Sequence, residues 1–227
     1  MSTSHWARVR IGAAPTSVNS TLGGMPSLPA DIARPRCRLC GELLTAFFQT
    51  EIPDGLGGPF EPGSRLSVFA CPTHDDIPGH IYTDGKLEPP PGQLPDRFWE
   101  DNDGHYAAFL VKPSAETISH PSDGRIMPVA LALEVVDEEP EPELEFKLGG
   151  APAFLQDAVE YRCCCGAPMA LVCQLPPDLE IPIEPDAPRQ PNGYADDTYV
   201  LFLGNATYLF ACTRQCDPRA VLAVVQG

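Results

Sequence analysis

LGGMP at Leu22–Pro26 and LGGAP at Leu148–Pro152 open two copies of one pattern. The first copy continues as RCRLCG (Arg36–Gly41), FFQ (Phe47–Gln49) and FAC-PTH (Phe69–His74). The second continues as RCCCG (Arg162–Gly166), VCQ (Val172–Gln174) and FAC-TRQC (Phe210–Cys216). The copies run at an offset of 126 residues as far as Cys37 and Cys163. One residue is then missing from the second copy, so Cys40 aligns with Cys165 and Gln49 with Gln174. A proline-rich insertion at Leu175–Asn192 later brings Cys71 opposite Cys212. Twelve identities in blocks of the same order point to duplication of one structural unit.

Each copy supplies four metal-capable side chains in two short-spaced groups. In the first, Cys37 and Cys40 form a C-x-x-C pair and Cys71 and His74 a C-x-x-H pair. Zinc takes four such ligands in a tetrahedron, and a two-residue spacer lets the backbone turn both sulfurs toward one ion. In the second, Cys163 and Cys165 form a C-x-C pair and Cys212 and Cys216 a C-x-x-x-C pair, with Cys164 an alternative to Cys163. The expectation is two structural zinc ions (Zn2+). Buried packing is the competing role for any cysteine, and it is the one expected of Cys173, which aligns with the core-like Phe48. Disulfides fit less well, because nine cysteines is an odd count and Met1–Pro15 lacks the apolar stretch of a secretory signal.

The 227 residues include 27 Pro and 19 Gly, a composition that disfavours long helices. Short apolar runs predict strands at Leu66–Ala70, Tyr106–Val111, Met127–Val136, Met169–Gln174, Tyr199–Leu203, Thr207–Ala211 and Val221–Val225. Tyr199–Phe210 reads as a hairpin turning at Gly204–Asn205. Short helices are expected at Ala30–Arg34, Ala153–Glu160 and Asp217–Ala220. The fold class is mainly β, or α+β with minor short helices. The organisation expected is an N-terminal segment (1–21) packing only in part, a first β-rich repeat lobe (22–133), an acidic linker (134–146) and a second lobe (147–227). Asp84–Asp96 reads as a further loop. Glu134–Glu145 holds seven acids, two prolines and no base, the composition of an extended solvated connection.

Net charge is −16, from 31 acids against 15 bases. That leaves no basic stripe for phosphates, so nucleic acid is not expected as a partner. No run approaches a transmembrane span, and the reading is a cytoplasmic protein with no membrane association. The acid surplus, clustered at Glu134–Glu145 and Glu100–Asp103, suits a basic protein partner. The Gly-Gly-x-Pro blocks lack the lysine and spacing of a phosphate-binding loop. They read as turns of close backbone approach, and Gln49 and Gln174 as buried amides serving loop backbone. No catalytic residue is assigned. A cysteine- or zinc-dependent hydrolase or transferase, with Cys164 as nucleophile and His74, His105 or His120 as base, is the alternative from another class.

KLGGAPAFLQ (Lys147–Gln156), CCCGAPMALVCQ (Cys163–Gln174) and YLFACTRQC (Tyr208–Cys216) resemble the C-terminal domain family of programmed cell death protein two. LGGMPSLPADIARPRCRLCGELLTAFFQ (Leu22–Gln49) is similar to the YwqG-like family. The resemblance implies a duplicated β-rich fold of pseudo-two-fold character and a non-enzymatic role, either as a dedicated chaperone of a basic protein or as an immunity protein. It carries over to Cys37, Cys40, Cys163 (or Cys164), Cys165, Cys212 and Cys216. His74 and the crowded CCC depart from a simply repeated cysteine pattern.

Overall fold

A computed structural model describes residues 6–12, 20–78, 82–83, 86–87, 104–136, 144–158 and 160–227. The Asp84–Asp96 loop, the Glu100–Asp103 cluster and most of the acidic linker lie outside the described residues or largely so. The chain is mainly β. In order, the strands are β1 (Trp6–Ile11), β2 (Thr21–Leu22), β3 (Ser27–Pro29), β4 (Thr45–Glu51), β5 (Arg65–Ala70), β6 (Tyr82–Thr83), β7 (Lys86–Leu87) and β8 (Tyr106–Val111). There follow β9 (Thr117–Ser119), β10 (Val129–Val136), β11 (Lys147–Gly149), β12 (Met169–Leu175), β13 (Ile181–Pro182), β14 (Thr198–Tyr199), β15 (Ala206–Cys212) and β16 (Val221–Gln226).

Ten of these make one antiparallel sheet in the order β16-β15-β12-β11-β1-β10-β2-β4-β5-β8. It is nearly closed, since Leu110 N–H of the edge strand β8 donates to the Pro218 carbonyl before β16 at 2.8 Å. Closure of this kind covers edges that would otherwise template aggregation. Traversed from either end, the order passes a terminal strand, a Phe-Ala-Cys strand, a Gln strand, a Leu-Gly-Gly strand and then one of two central strands.

The registers of the two sides correspond. Leu22 pairs with Phe48, and Leu148 with Cys173. β4 bulges against β5 between Ala46 and Phe48, and β12 against β15 between Leu171 and Cys173. A bulge adds a residue and turns the side chains that follow it. The extra residues are Phe47 and Val172, both fully buried.

Two organisational expectations change. The N-terminal segment is not peripheral: β1 pairs with both β10 and β11 at the centre of the sheet, and Trp6 and Ala7 are buried. Its outward residues are charged, which made the segment look polar; Arg8 pairs with Glu145 and Arg10 with Glu134. The boundary at residue 133 falls inside β10, so Glu134–Val136 is central strand instead of linker. One buried cluster runs through both copies. Phe48 meets Phe146 edge-on at 5.6 Å, Phe47 lies 6.2 Å from Tyr199, and Tyr106 meets Phe202 at 5.1 Å. Burying each such ring contributes roughly 1.5–3 kcal/mol, and here the pairs with Tyr199 and Phe202 tie one copy to the other.

No α-helix occurs among the described residues; the helical content is two 3₁₀ turns, Pro72–His74 and Phe202–Gly204. The helices expected at Ala30–Arg34, Ala153–Glu160 and Asp217–Ala220 are turns or irregular where described. At 153–156 the reason is visible. Ala153 N–H donates to Gln174 Oε1, Leu155 N–H to the Tyr208 hydroxyl and Gln156 N–H to Gln226 Oε1, so the sheet captures donors that a helix would use. The hairpin expected over Tyr199–Phe210 is also replaced. β14 pairs with β13 of the insertion, and Phe202–Gly204 turns away before β15 begins.

Candidate metal centres

In the first copy a tight loop between Arg36 and Leu43, which bridge each other, carries Cys37 and Cys40. Gly41 N–H closes it on the Cys37 carbonyl at 2.8 Å, and Cys37 N–H returns to the Glu42 carbonyl at 2.8 Å. The other two ligands follow the end of β5: Cys71 comes directly after Ala70, and the 3₁₀ turn brings His74 round, with His74 N–H on the Cys71 carbonyl at 3.2 Å. The second copy repeats this. Arg162 bridges Pro168, Gly166 N–H closes on the Cys163 carbonyl at 2.8 Å, and Cys212 ends β15.

Cys37, Cys40, Cys71 and His74 form one group, and Cys163, Cys165, Cys212 and Cys216 another; within each, the ligand atoms all lie within 4.8 Å of one another. A tetrahedral ion about 2.3 Å from sulfur and about 2.0 Å from a ring nitrogen sets edges of roughly 3.8 Å between sulfurs and roughly 3.5 Å from sulfur to nitrogen. In the first group Cys40 and Cys71 Sγ are 3.8 Å apart, and His74 Nδ1 is 3.5 Å from both Cys37 and Cys71 Sγ. In the second, Cys163–Cys216 and Cys165–Cys212 are each 3.5 Å apart. These separations fit a shared ion and are far longer than the roughly 2.05 Å of a disulfide. All nine cysteines are free thiols.

The second group's distal pair is one residue longer, and Gln215, in left-handed conformation at φ 45°, absorbs the extra residue. By spacing, Gln215 stands where His74 stands. Its side chain instead donates to Ser64 Oγ at 2.9 Å and accepts from Glu61 N–H at 3.2 Å, leaving Cys216 as the fourth ligand. Cys163, not Cys164, completes the group; Cys164 Sγ sits alongside, 3.7 Å from Cys163 Sγ. Cys173 is fully buried, as its alignment with Phe48 suggested, and burial pushes its thiol up. Neither group includes His105 or His120.

The electrostatics of both groups are compatible with a cation. Burial pushes the Cys71 thiol up to about 12, against N–H donors from His74 and Thr73. Around Cys212, a hydrogen bond from the Cys163 thiol, helped by N–H groups of Cys216 and Arg214, holds the thiol down at about 4 despite burial. Cys163 is raised correspondingly as donor, and burial takes Cys216 to about 12. Crowded thiols allow one to ionise while its neighbours keep their protons. A dication removes that conflict by stabilising all the thiolates together.

Two features escaped the sequence. Asp75, next to His74, is buried, and its carboxylate accepts from Phe202 N–H and Leu203 N–H at 2.8 Å each. Its burial raises its pKa to about 6, opposed by those two N–H donors. Adjacency to a ligand was the only signal. Lys147 is buried beneath Trp6, with Nζ 5.5 Å from the ring centroid and 2.6 Å from the Ala151 carbonyl.

The glutamines behave as buried amides. Gln174 accepts from Ala153 N–H at 2.8 Å and donates to the Glu145 carbonyl at 3.2 Å. Gln49 accepts from Ser27 N–H at 3.3 Å and donates to the Met25 carbonyl at 3.1 Å. Replacing Gln174 with Leu strands two part-buried backbone groups, each worth about 1–2 kcal/mol. A loss of roughly 2–4 kcal/mol in urea denaturation is the expected outcome. Gln49→Leu should cost less, because Gln49 retains 8% exposure and water reaches its partners.

Scanning the chain against family models finds no match, and a search of curated proteins finds no significant one. No helix among the described residues is long and apolar enough to cross a membrane.

Proposed function

We propose that the chain is a zinc-stabilised, non-enzymatic protein-binding module that sequesters or chaperones a basic partner, in the manner of a dedicated chaperone or an immunity protein. The observation that carries the reading is the pair of four-ligand groups. Each offers a full tetrahedron of protein ligands, and a full tetrahedron leaves no position for the water that a catalytic zinc activates. A set of three sulfurs with one imidazole and a set of four sulfurs both favour zinc over the oxygen-seeking cations. The duplicated, pseudo-two-fold unit belongs to the same proposal. It is supported by equivalent bulges, equivalent glutamine contacts and a strand order that reads alike from both ends. The resemblance to YwqG-like proteins and to the C-terminal domain of programmed cell death protein two gives the class of role. A net charge of −16 gives the sign of the partner.

Affinity capture at low salt, with mass spectrometry of the bound fraction, tests this. The expected partner has a high isoelectric point and releases at raised salt, with Kd weakening about tenfold or more between low and moderate ionic strength, since exposed charges are screened beyond about 10 Å at 0.1 M. A neutral partner indifferent to salt overturns the electrostatic part. Turnover by metal-loaded protein on ester or amide substrates overturns the non-enzymatic part.

A further inference from the structure

The turn at Phe202–Gly204 is left-handed at three successive residues, with φ of 52° at Phe202, 58° at Leu203 and 75° at Gly204. Two of these carry side chains, and a run of L-residues in that conformation is strained. Something outside the turn must hold it. The turn's own bonds are weak at one end, with Gly204 N–H on the Leu201 carbonyl at 3.1 Å and Asn205 N–H on the Phe202 carbonyl at 3.3 Å. The Tyr194 hydroxyl donates to the Leu203 carbonyl at 2.8 Å and Asn205 Nδ2 to the Phe202 carbonyl at 2.9 Å, while the Asp75 carboxylate engages the two strained N–H groups themselves, one oxygen on each at 2.8 Å. Successive N–H groups in such a turn form a concave anion nest, and Asp75 fills it from 127 and 128 residues away in sequence.

Asp75 immediately follows His74, the imidazole ligand of the first group. Once His74 is bound to an ion, the backbone from Cys71 to Asp75 has both its ends fixed. The turn it anchors closes the proline-rich insertion of the second copy and seats Phe202, fully buried, against the Tyr106 ring of β8. Asp178 N–H joins that closure on the Gly204 carbonyl at 2.7 Å.

Building on the zinc reading above, we infer that the ion of the first group latches the insertion of the second copy through Asp75. Removing that ion frees the strained turn and unseats Phe202 while the ten-stranded sheet stays folded. The latch makes the insertion's conformation, and any surface it presents, dependent on metal at one site and not the other.

Hydrogen exchange read by mass spectrometry on the full chain tests this. Four proteins are compared at equal zinc: wild type, His74→Ala, Asp75→Asn and the double variant, each with its metal content measured. His74→Ala should retain one ion and speed exchange at residues 202–205 at least tenfold, with β12 and β15 unchanged. Asp75→Asn should retain both ions and speed the same amides alone, because an NH2 donor would replace one of the two oxygens that accept from Phe202 and Leu203 N–H. In the double variant, exchange should be no faster than in Asp75→Asn. If wild type holds no ion in the first group, the zinc reading and the latch fall together. If His74→Ala loses its ion and the 202–205 amides stay protected, or Asp75→Asn leaves them protected, only the latch falls. Loss of protection throughout the sheet in His74→Ala also overturns it, since the effect would then be global unfolding.

Discussion

Reduced protein should carry two zinc ions per chain by elemental analysis, and stripping both should lower the melting temperature by roughly 10–20 °C. The size follows from linkage. Binding to the folded state alone stabilises it by RT ln(1 + [L]/Kd), and structural zinc in small modules is worth about 10–16 kcal/mol in apparent terms. Unfolded cysteines also bind zinc and reduce the difference, so about 5 kcal/mol per chain is a conservative share. At 2–4 °C per kcal/mol for a domain of this length, that gives roughly 10–20 °C. Single substitutions divide the effect. Cys40→Ser and Cys165→Ser should each lose one ion, whereas Cys164→Ser should keep both, because Cys164 stands beside the second tetrahedron and not in it. Cys173→Ser should also keep both and lose stability only through packing. Metal-free reduced protein with an unchanged melting curve removes the structural role altogether.

The part of the fold visible in the sequence is the part encoded at short range. The ligand loops announce themselves because metal geometry demands small fixed spacings, and the strands β8, β12 and β15 do so because buried strands are largely apolar. Even the ambiguity between Cys163 and Cys164 is local, and it resolves in the loop itself, where Cys163 Sγ stands 3.5 Å from Cys216 Sγ and Cys164 Sγ sits outside the group. The centre of the sheet was not legible. β1 reads WARVRI, and its arginines look like a solvated tail until Glu145 and Glu134 are placed opposite them. The stretch Tyr199–Leu203 has every local mark of a strand. It bends because the Asp75 carboxylate, on the other copy, captures two of its N–H groups. Propensity lost there to a contact that no window of residues contains.

Gly23→Ala should destabilise the chain by about 3 kcal/mol or more, far beyond the cost of its backbone angle. Alanine at a left-handed position costs roughly 1 kcal/mol. At Gly23, with φ of 56°, the added Cβ would also stand 2.7 Å from the Ile126 carbonyl oxygen and 2.8 Å from its Cγ2. Ile126 has nowhere to go. It is buried, it bridges Ile183 of the insertion, and its neighbours on each side are tied to that same segment through Glu184 N–H on the Arg125 carbonyl and Met127 N–H on the Pro182 carbonyl. Gly124 isolates the backbone term: its φ is 68°, and a Cβ there meets nothing within 4 Å. Gly124→Ala should therefore lower the melting temperature by only about 2–4 °C, against roughly 6–12 °C for Gly23→Ala. At Gly149 the Cβ would meet the Leu56 side chain at 3.2–3.6 Å, close but clear of backbone, so Gly149→Ala should fall between the two. Equal shifts at all three positions would mean that the Gly-Gly-x-Pro block is there for its turn alone. The graded order would instead make the first block the place where one copy's backbone is pressed directly against the segment that carries the other copy's insertion.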